Sequence, residues 1–155
     1  MMTNFNNYVK NSAEVINSLS NEKNLQKISI IKNLLLKTID NKKLIMIGGN
    51  GGSACDAEHF CAELVVRYKN NRKPVKCISI NSSISILTAS SNDFGYEYSF
   101  ARSVECFSDK NNLLIILSTS GNSKNILKAL QYAQNIGMHS IALLGKDGGL
   151  AKNLS

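Results

Sequence analysis

His59 and Glu63 stand four positions apart, the spacing that places two side chains on one face of a helix. An imidazole and a carboxylate so placed can hold a metal ion, and the carboxylate can serve as a general base. A solvent-facing pair has the same spacing. Just upstream runs Gly48-Gly49-Asn50-Gly51-Gly52-Ser53, with four glycines in five positions. Glycine admits positive φ and lets a ligand approach the main chain. Ser53 is read as the start of a helix, with Asp56 at capping-box distance. Free N–H groups at that terminus would favour an anion or a hydroxyl-rich ligand. The run lacks the G-x-G-x-x-G spacing of a dinucleotide site and the Lys-Ser/Thr of a P-loop. A structural turn and a ligand loop therefore both stay open.

A second candidate is Ser118-Thr119-Ser120-Gly121-Asn122-Ser123, where four hydroxyls precede a helical pattern. Hydroxyls, backbone N–H groups and a helix dipole together suit a phosphate monoester. Plain N-capping by Ser123 or Ser120 is the simpler reading, but one serine would suffice for it. A serine-rich stretch, Ser82 to Ser91, leads into Asn92-Asp93-Phe94-Gly95, which has turn chemistry. Gly145-Lys146-Asp147-Gly148-Gly149 either borders a site or simply turns. His139, beside a strand start, receives no role.

The elements around these segments follow from hydrophobic periodicity. Ile28, Ile31, Leu35 and Ile39 recur on one helical face within a helical N-terminal part, residues 1–42, until Asp40-Asn41-Lys42-Lys43 breaks the pattern. Short continuous apolar runs at 44–47, 75–80, 113–117 and 141–144, the last with a possible start at Met138, fit strands buried on both faces. Helical patterns lie between them, one through Ala57, Phe60, Cys61, Leu64 and Tyr68. Another runs through Ile126, Leu127, Leu130 and Ala133 to Gly137, placed as a C-terminal cap glycine. Alternating strands and helices predict an α/β fold, a doubly wound parallel sheet in residues 43–155 with right-handed crossovers. Ligands of such sheets bind beyond the carboxyl ends of the strands, where the polar loops fall.

Composition narrows the function classes. The 155 residues, 43% hydrophobic and 19% charged, are enough for one domain with its own core. No apolar run reaches membrane-spanning length, and the asparagine-rich N-terminus lacks a secretory signal, which predicts a cytoplasmic protein. Cys55, Cys61, Cys77 and Cys106 form no C-x-x-C pair and are read as small buried hydrophobes. The net charge of +7 is spread over scattered lysines, densest from Arg67 to Lys76, without interleaved aromatics. That favours a solvated basic surface over a nucleic-acid site.

Together, Gly-Asn-Gly-Gly-Ser at 49–53, Cys-Asp-Ala-Glu-His-Phe at 55–60, Glu63, Asn92-Asp93-Phe94-Gly95, the 118–123 run and the 145–149 run resemble, in order and spacing, the phosphoheptose isomerases, a sugar isomerase (SIS) domain family. The resemblance implies conversion of sedoheptulose 7-phosphate to D-glycero-D-manno-heptose 7-phosphate. This opens bacterial heptose synthesis for lipopolysaccharide or capsule. It implies a homotetramer with sites at subunit interfaces, and no nucleic-acid or membrane partner. By position, Ser118, Thr119, Ser120 and Ser123 would hold the phosphate. Asn50, Gly51, Gly52, Ser53, Asn92 and Asp93 would line the substrate. His59 and Glu63 would bind zinc, one per subunit, and Glu63 would move the proton between C1 and C2 through an enediol. The family's further strand and long helix, with a glutamine and a histidine completing the zinc site, would lie beyond Ser155. The chain alone is therefore expected to turn over weakly or not at all. Two rival readings share the fold. Replication-initiator-associating proteins resemble the isomerases, but they lack the glutamate matching Glu63 and carry arginine where Ser120 stands. A sugar-phosphate sensor would add a DNA-reading helix pair, which the N-terminal helices lack.

Overall fold

The computed structural model describes residues 2–155, with side chains from Asn4 onward. Only the very start of the N-terminal helical reading lies outside these residues. By internal contacts the chain forms one unit ending at Lys37 and a second from Thr38 to Ser155.

The first unit carries helix α1 (Met2–Ser18) and most of α2 (Glu22–Asp40). Asn21 caps α2, its Oδ1 accepting the Asn24 N–H at 2.9 Å, and Glu22 lies in the first turn, where the dipole favours it. Along α1, Phe5, Tyr8, Val15 and Ile16 are all well exposed.

In the second unit α2 ends where the sequence breaks its pattern. Lys42 adopts φ 54°, and the Lys43 N–H reaches back to the Thr38 carbonyl at 3.0 Å, closing the helix with a left-handed residue. Four strands follow, β1 (Ile45–Gly49), β2 (Cys77–Ser79), β3 (Leu113–Ser118) and β4 (His139–Leu144). They alternate with α3 (Gly52–Val65), α4 (Ile84–Phe94), α5 (Ser99–Cys106) and α6 (Lys124–Asn135). All strand pairs are parallel, in the order β2-β1-β3-β4. β1 is buried along its length, and Met46, Leu114 and Ile116 pack with Phe100, Val104 and Leu130. Two-sided burial explains why β1 and β3 are uninterrupted apolar runs; the edge strands depart from that expectation, β2 being only three residues of the 75–80 run and β4 only partly buried. The chain leaves β1 for β2 on one side, then returns to β3 on the other. The loops after β1 and β3 thus part at a switch point of the sheet, the position where such folds bind ligands. Gly137 takes φ 70° behind α6, and the Met138 N–H bonds the Ala133 carbonyl at 2.9 Å, as a helix-terminating glycine should.

Two local expectations change. The segment ending in Asn92-Asp93-Phe94-Gly95 is a helix C-terminus rather than an isolated turn. Ser83 caps α4 through the Ile86 N–H, and Gly95, at φ 94°, ends it. Of the cysteines, only Cys77 is buried; Cys61 is half-buried, and Cys55 and Cys106 are exposed. All four are free thiols, and burial, then a hydrogen bond with Cys61, pushes the Cys77 thiol up.

Lys43, just before β1, meets Asp109, just before β3, at 2.8 Å. The Lys43 hydrogen bond, helped by the Asn111 N–H, lowers the Asp109 carboxyl from 3.8 to about 2. A carboxyl depressed on folding contributes stability above its unfolded pKa and loses it as pH falls through the folded value. Asp109→Asn should therefore melt lower than the parent at neutral pH, and the gap should close between about pH 4 and pH 2, in thermal melts taken as a pH series. A gap constant down to pH 2 would show that the pair contributes nothing.

Candidate active site

The β1 loop and the β3 loop enclose a cleft of about 170 Å³ whose polar lining is Asn50, Ser53, Ser118, Thr119, Ser120 and Ser123. Each side chain arrives there for a local reason. Gly51 adopts φ 57°, which turns the chain sharply after β1. It, and not a side chain, occupies the N-cap of α3; no side-chain capping bond forms. The capping box expected between Ser53 and Asp56 is therefore absent. α3 begins at Gly52, which moves Ser53 into its first turn and leaves the hydroxyl facing the cleft. Cβ atoms built on Gly51 and Gly52 would meet nothing within 4 Å, so this rim is open.

In the β3 loop the hydroxyls divide their work. Ser118 Oγ accepts the Gly121 N–H at 3.1 Å and Ser120 Oγ accepts the Asn122 N–H at 3.2 Å, shaping the turn. Each retains its O–H to donate. Ser123 is the N-cap residue of α6, yet its side chain makes no capping bond. The simple capping explanation thus fails for Ser120 and Ser123 alike. Hydroxyl donors over a helix N-terminus make an environment for a dianion that needs no lysine or arginine.

The 145–149 loop packs on the β3 loop, the Gly145 N–H donating to the Ser118 carbonyl at 3.0 Å. Leu150 N–H donates to Asn122 Oδ1 and Ala151 N–H to the Gly121 carbonyl, both at 3.0 Å. Gly121, at φ 63°, packs against the Gly148 backbone so closely that a Cβ would lie 2.0 Å from the Gly148 carbonyl oxygen. Asn81, two residues after β2, holds the other flank. Its Oδ1 accepts the Gly49 N–H at 3.1 Å and its Nδ2 donates to the Gly49 carbonyl at 2.7 Å, prolonging the β2 ladder with a side chain.

His59 and Glu63 lie one turn apart on α3, outside the serine cleft, with His59 Nε2 3.6 Å from Glu63 Oε1. Glu63 Oε2 is buried and has no hydrogen-bond partner among the described residues. A buried carboxylate oxygen without a donor is costly, so a cation or a substrate proton there would remove the cost. Imidazole nitrogen and carboxylate oxygen are suitable zinc donors. Among the described residues, however, no group of three or more His, Cys, Asp or Glu could hold a metal. The pair fits part of a metal site. Arg72, from the basic stretch read as solvated surface, instead donates to the Glu63 and Leu64 carbonyls and closes the end of α3.

Asn92 and Asp93 are not brought into the cleft. Both are exposed in the last turn of α4, bonded to each other at 2.9 Å. The sequence reading missed Asn81, Tyr96 and Asn125. Tyr96 O–H donates to Asn50 Oδ1 at 3.0 Å, and Asn125 pairs with the Asn50 amide. The signal available for two of them was position alone, Asn81 following a strand and Asn125 opening a helix.

The SIS domain profile matches residues 7–145. The chain is 55% identical over 122 residues to the phosphoheptose isomerase of Helicobacter pylori (strain ATCC 700392 / 26695), covering 79% of this chain and 64% of that protein. The structure of phosphoheptose isomerase GmhA from Neisseria gonorrhoeae superposes with a TM-score of 0.83 at 31% identity, covering 98% of this chain and 77% of that one. A phosphoheptose isomerase from Francisella tularensis gives 0.90 at 27% identity, with 99% and 80% covered. The chain thus spans a little under two thirds of the length of the Helicobacter relative.

Proposed function

From a chain that belongs to the SIS domain family, and is closely similar to phosphoheptose isomerases, we propose an isomerase that converts sedoheptulose 7-phosphate to D-glycero-D-manno-heptose 7-phosphate. The observation that carries the reading is the hydroxyl-lined cleft at the helix N-terminus, in a fold that also holds the orphaned carboxylate oxygen of Glu63 on α3. Ser118, Thr119, Ser120 and Ser123 hold the phosphate. Asn50, Gly51, Gly52 and Ser53 line the sugar. The phosphate sits on C7 and the reacting carbons are C1 and C2, at opposite ends of the substrate. A phosphate anchor in the β3 loop and a base outside that cleft suit that length. Glu63 takes a C1 proton of the ketose, exchanges it with solvent and delivers a proton to C2, while a proton passes from O1 to O2 and hydrogen-bond donors hold the enediol oxygens.

His59 and Glu63 supply two ligands to one zinc ion per subunit, and two more come from outside the described residues. The metal, when bound, polarises the substrate carbonyl. The protein works in the cytoplasm as a homotetramer that feeds heptose to lipopolysaccharide or capsule. The exposed apolar residues of α1 support a partner copy, since contiguous apolar surface marks interaction sites. Among the described residues no helix is long and apolar enough to cross a membrane. Glu63 and Ser120 both speak against the binding-protein alternative.

The full-length protein, given sedoheptulose 7-phosphate and zinc in deuterium oxide, should form the aldose with deuterium at C2. Neither aldose nor label uptake, in a folded protein that binds zinc, would sink the isomerase reading.

A further inference from the structure

Asn50 lines the serine cleft, and the polarity of its amide follows from a backbone group. The Ile126 N–H can only donate, and it meets Asn125 Oδ1 at 3.0 Å. The other end of the Asn125 amide is therefore its NH2. That Nδ2 donates to Asn50 Oδ1 at 2.9 Å, and Asn50 Nδ2 returns a bond to Asn125 Oδ1 at 2.9 Å, closing a ring of two amides. Tyr96 O–H adds a second donor to Asn50 Oδ1 at 3.0 Å. Asn125 is 1% exposed, so its side of the ring is held inside the fold, while Asn50 is half-buried at the cleft. An amide oxygen has two lone pairs and an NH2 has two hydrogens. Both lone pairs of Asn50 are used and one hydrogen is committed to Asn125. A single N–H remains, with no acceptor among the described residues.

We infer that Asn125 and Tyr96 are positioning residues that lock the Asn50 amide so that it meets a bound ligand only as a hydrogen-bond donor. The ligand atom opposite is then an oxygen acceptor, a carbonyl, an enediolate or a phosphate oxygen, and not a hydroxyl acting as donor. Without the lock the amide could rotate and present its oxygen, which would repel the same atom. The identity of the ligand rests on the sugar-phosphate reading of the cleft; the lock itself does not.

The test uses the full-length protein with Asn125→Ala and Tyr96→Phe, each alone and combined with Asn50→Ala. kcat and KM are measured for sedoheptulose 7-phosphate, with the side-chain amide resonances of Asn50 as a second readout. Tyr96 is 54% exposed, so Tyr96→Phe should fold even if Asn125→Ala does not. Loss of one such bond should lower kcat/KM about 3–10-fold for Tyr96→Phe and more for Asn125→Ala. In the Asn50→Ala background both effects should shrink to less than about twofold, because the two residues act through Asn50. Equal losses in both backgrounds would reveal a merely structural role and overturn the inference. A parent protein without turnover would fail the functional reading alone. The resonances then decide: one Asn50 amide hydrogen should be exchange-protected in the parent and lose that protection in Asn125→Ala or, more weakly, Tyr96→Phe. Identical Asn50 resonances in parent and variants would overturn the lock.

Discussion

Glu63→Gln is expected to cost the full-length protein about 10²–10⁴-fold in kcat, the range for a positioned general base, while leaving the fold as stable as before or more so. The two halves of that expectation have one cause. Glu63 Oε2 is buried without a partner among the described residues, and His59 Nε2, at 3.6 Å from Oε1, is beyond hydrogen-bond distance. That oxygen thus bears a desolvation cost that no donor among the described residues offsets. Glutamine keeps the shape, removes the charge and cannot take a proton. Turnover should fall by that factor, the melting temperature should hold or rise, and sugar-phosphate affinity should change little because the phosphate is held elsewhere. Losing activity while keeping stability marks a residue retained for function. Glu63→Gln that melted well below the parent would make Glu63 structural, and one that kept normal kcat would remove it as the base.

The second large effect is expected at Gly121. An alanine there must adopt φ 63° and place Cβ 2.0 Å from the Gly148 carbonyl oxygen. Backbone opposes backbone, so no side chain can rotate away. The Gly121 N–H bonded to Ser118 and the Gly121 carbonyl bonded to Ala151 would both be displaced. Left-handed strain and a main-chain clash together should cost about 2–4 kcal/mol, and roughly 4–16 °C in melting temperature for a chain of this size. Phosphate binding should go with it, because the turn that aims Ser118 and Ser120 is the turn that moves. Gly52→Ala is the control. Its Cβ meets nothing within 4 Å and it opens a helix, so calorimetry should find it neutral or slightly stabilising. Equal melting temperatures for the two variants would mean that the 145–149 loop yields freely.

The two glycine-dependent loops were legible as candidates because cost leaves a mark in sequence. Strand positions were legible too, since burial on both faces demands unbroken apolar runs such as Leu113 to Leu117. Helix α4 was less so. Ser82 to Ser91 holds weak helix formers, and only the structure shows Ser83 capping it and Gly95 ending it. The start of α3 was misjudged because Gly51 does by conformation what Ser53 was expected to do by hydrogen bond. The Asn50–Asn125 ring was invisible for a different reason. Its members are 75 positions apart and their types carry no period, so the pair exists only once β1 and β3 lie side by side. Asn81 escaped notice likewise, being a backbone surrogate that any turn asparagine resembles in sequence.

The adjacency of β1 and β3 also bears on when the cleft comes into being. Asn50 and Ser53 follow β1, the hydroxyl run follows β3, and β2, α4 and α5 are threaded between them. Closing so long a loop must precede any contact across the cleft, and such long-range parallel pairings are slow. Neither half of the chain can therefore assemble the site first and wait for the other. Ligand binding should return during refolding only with the central strand pairing, which ties recognition to completion of the sheet.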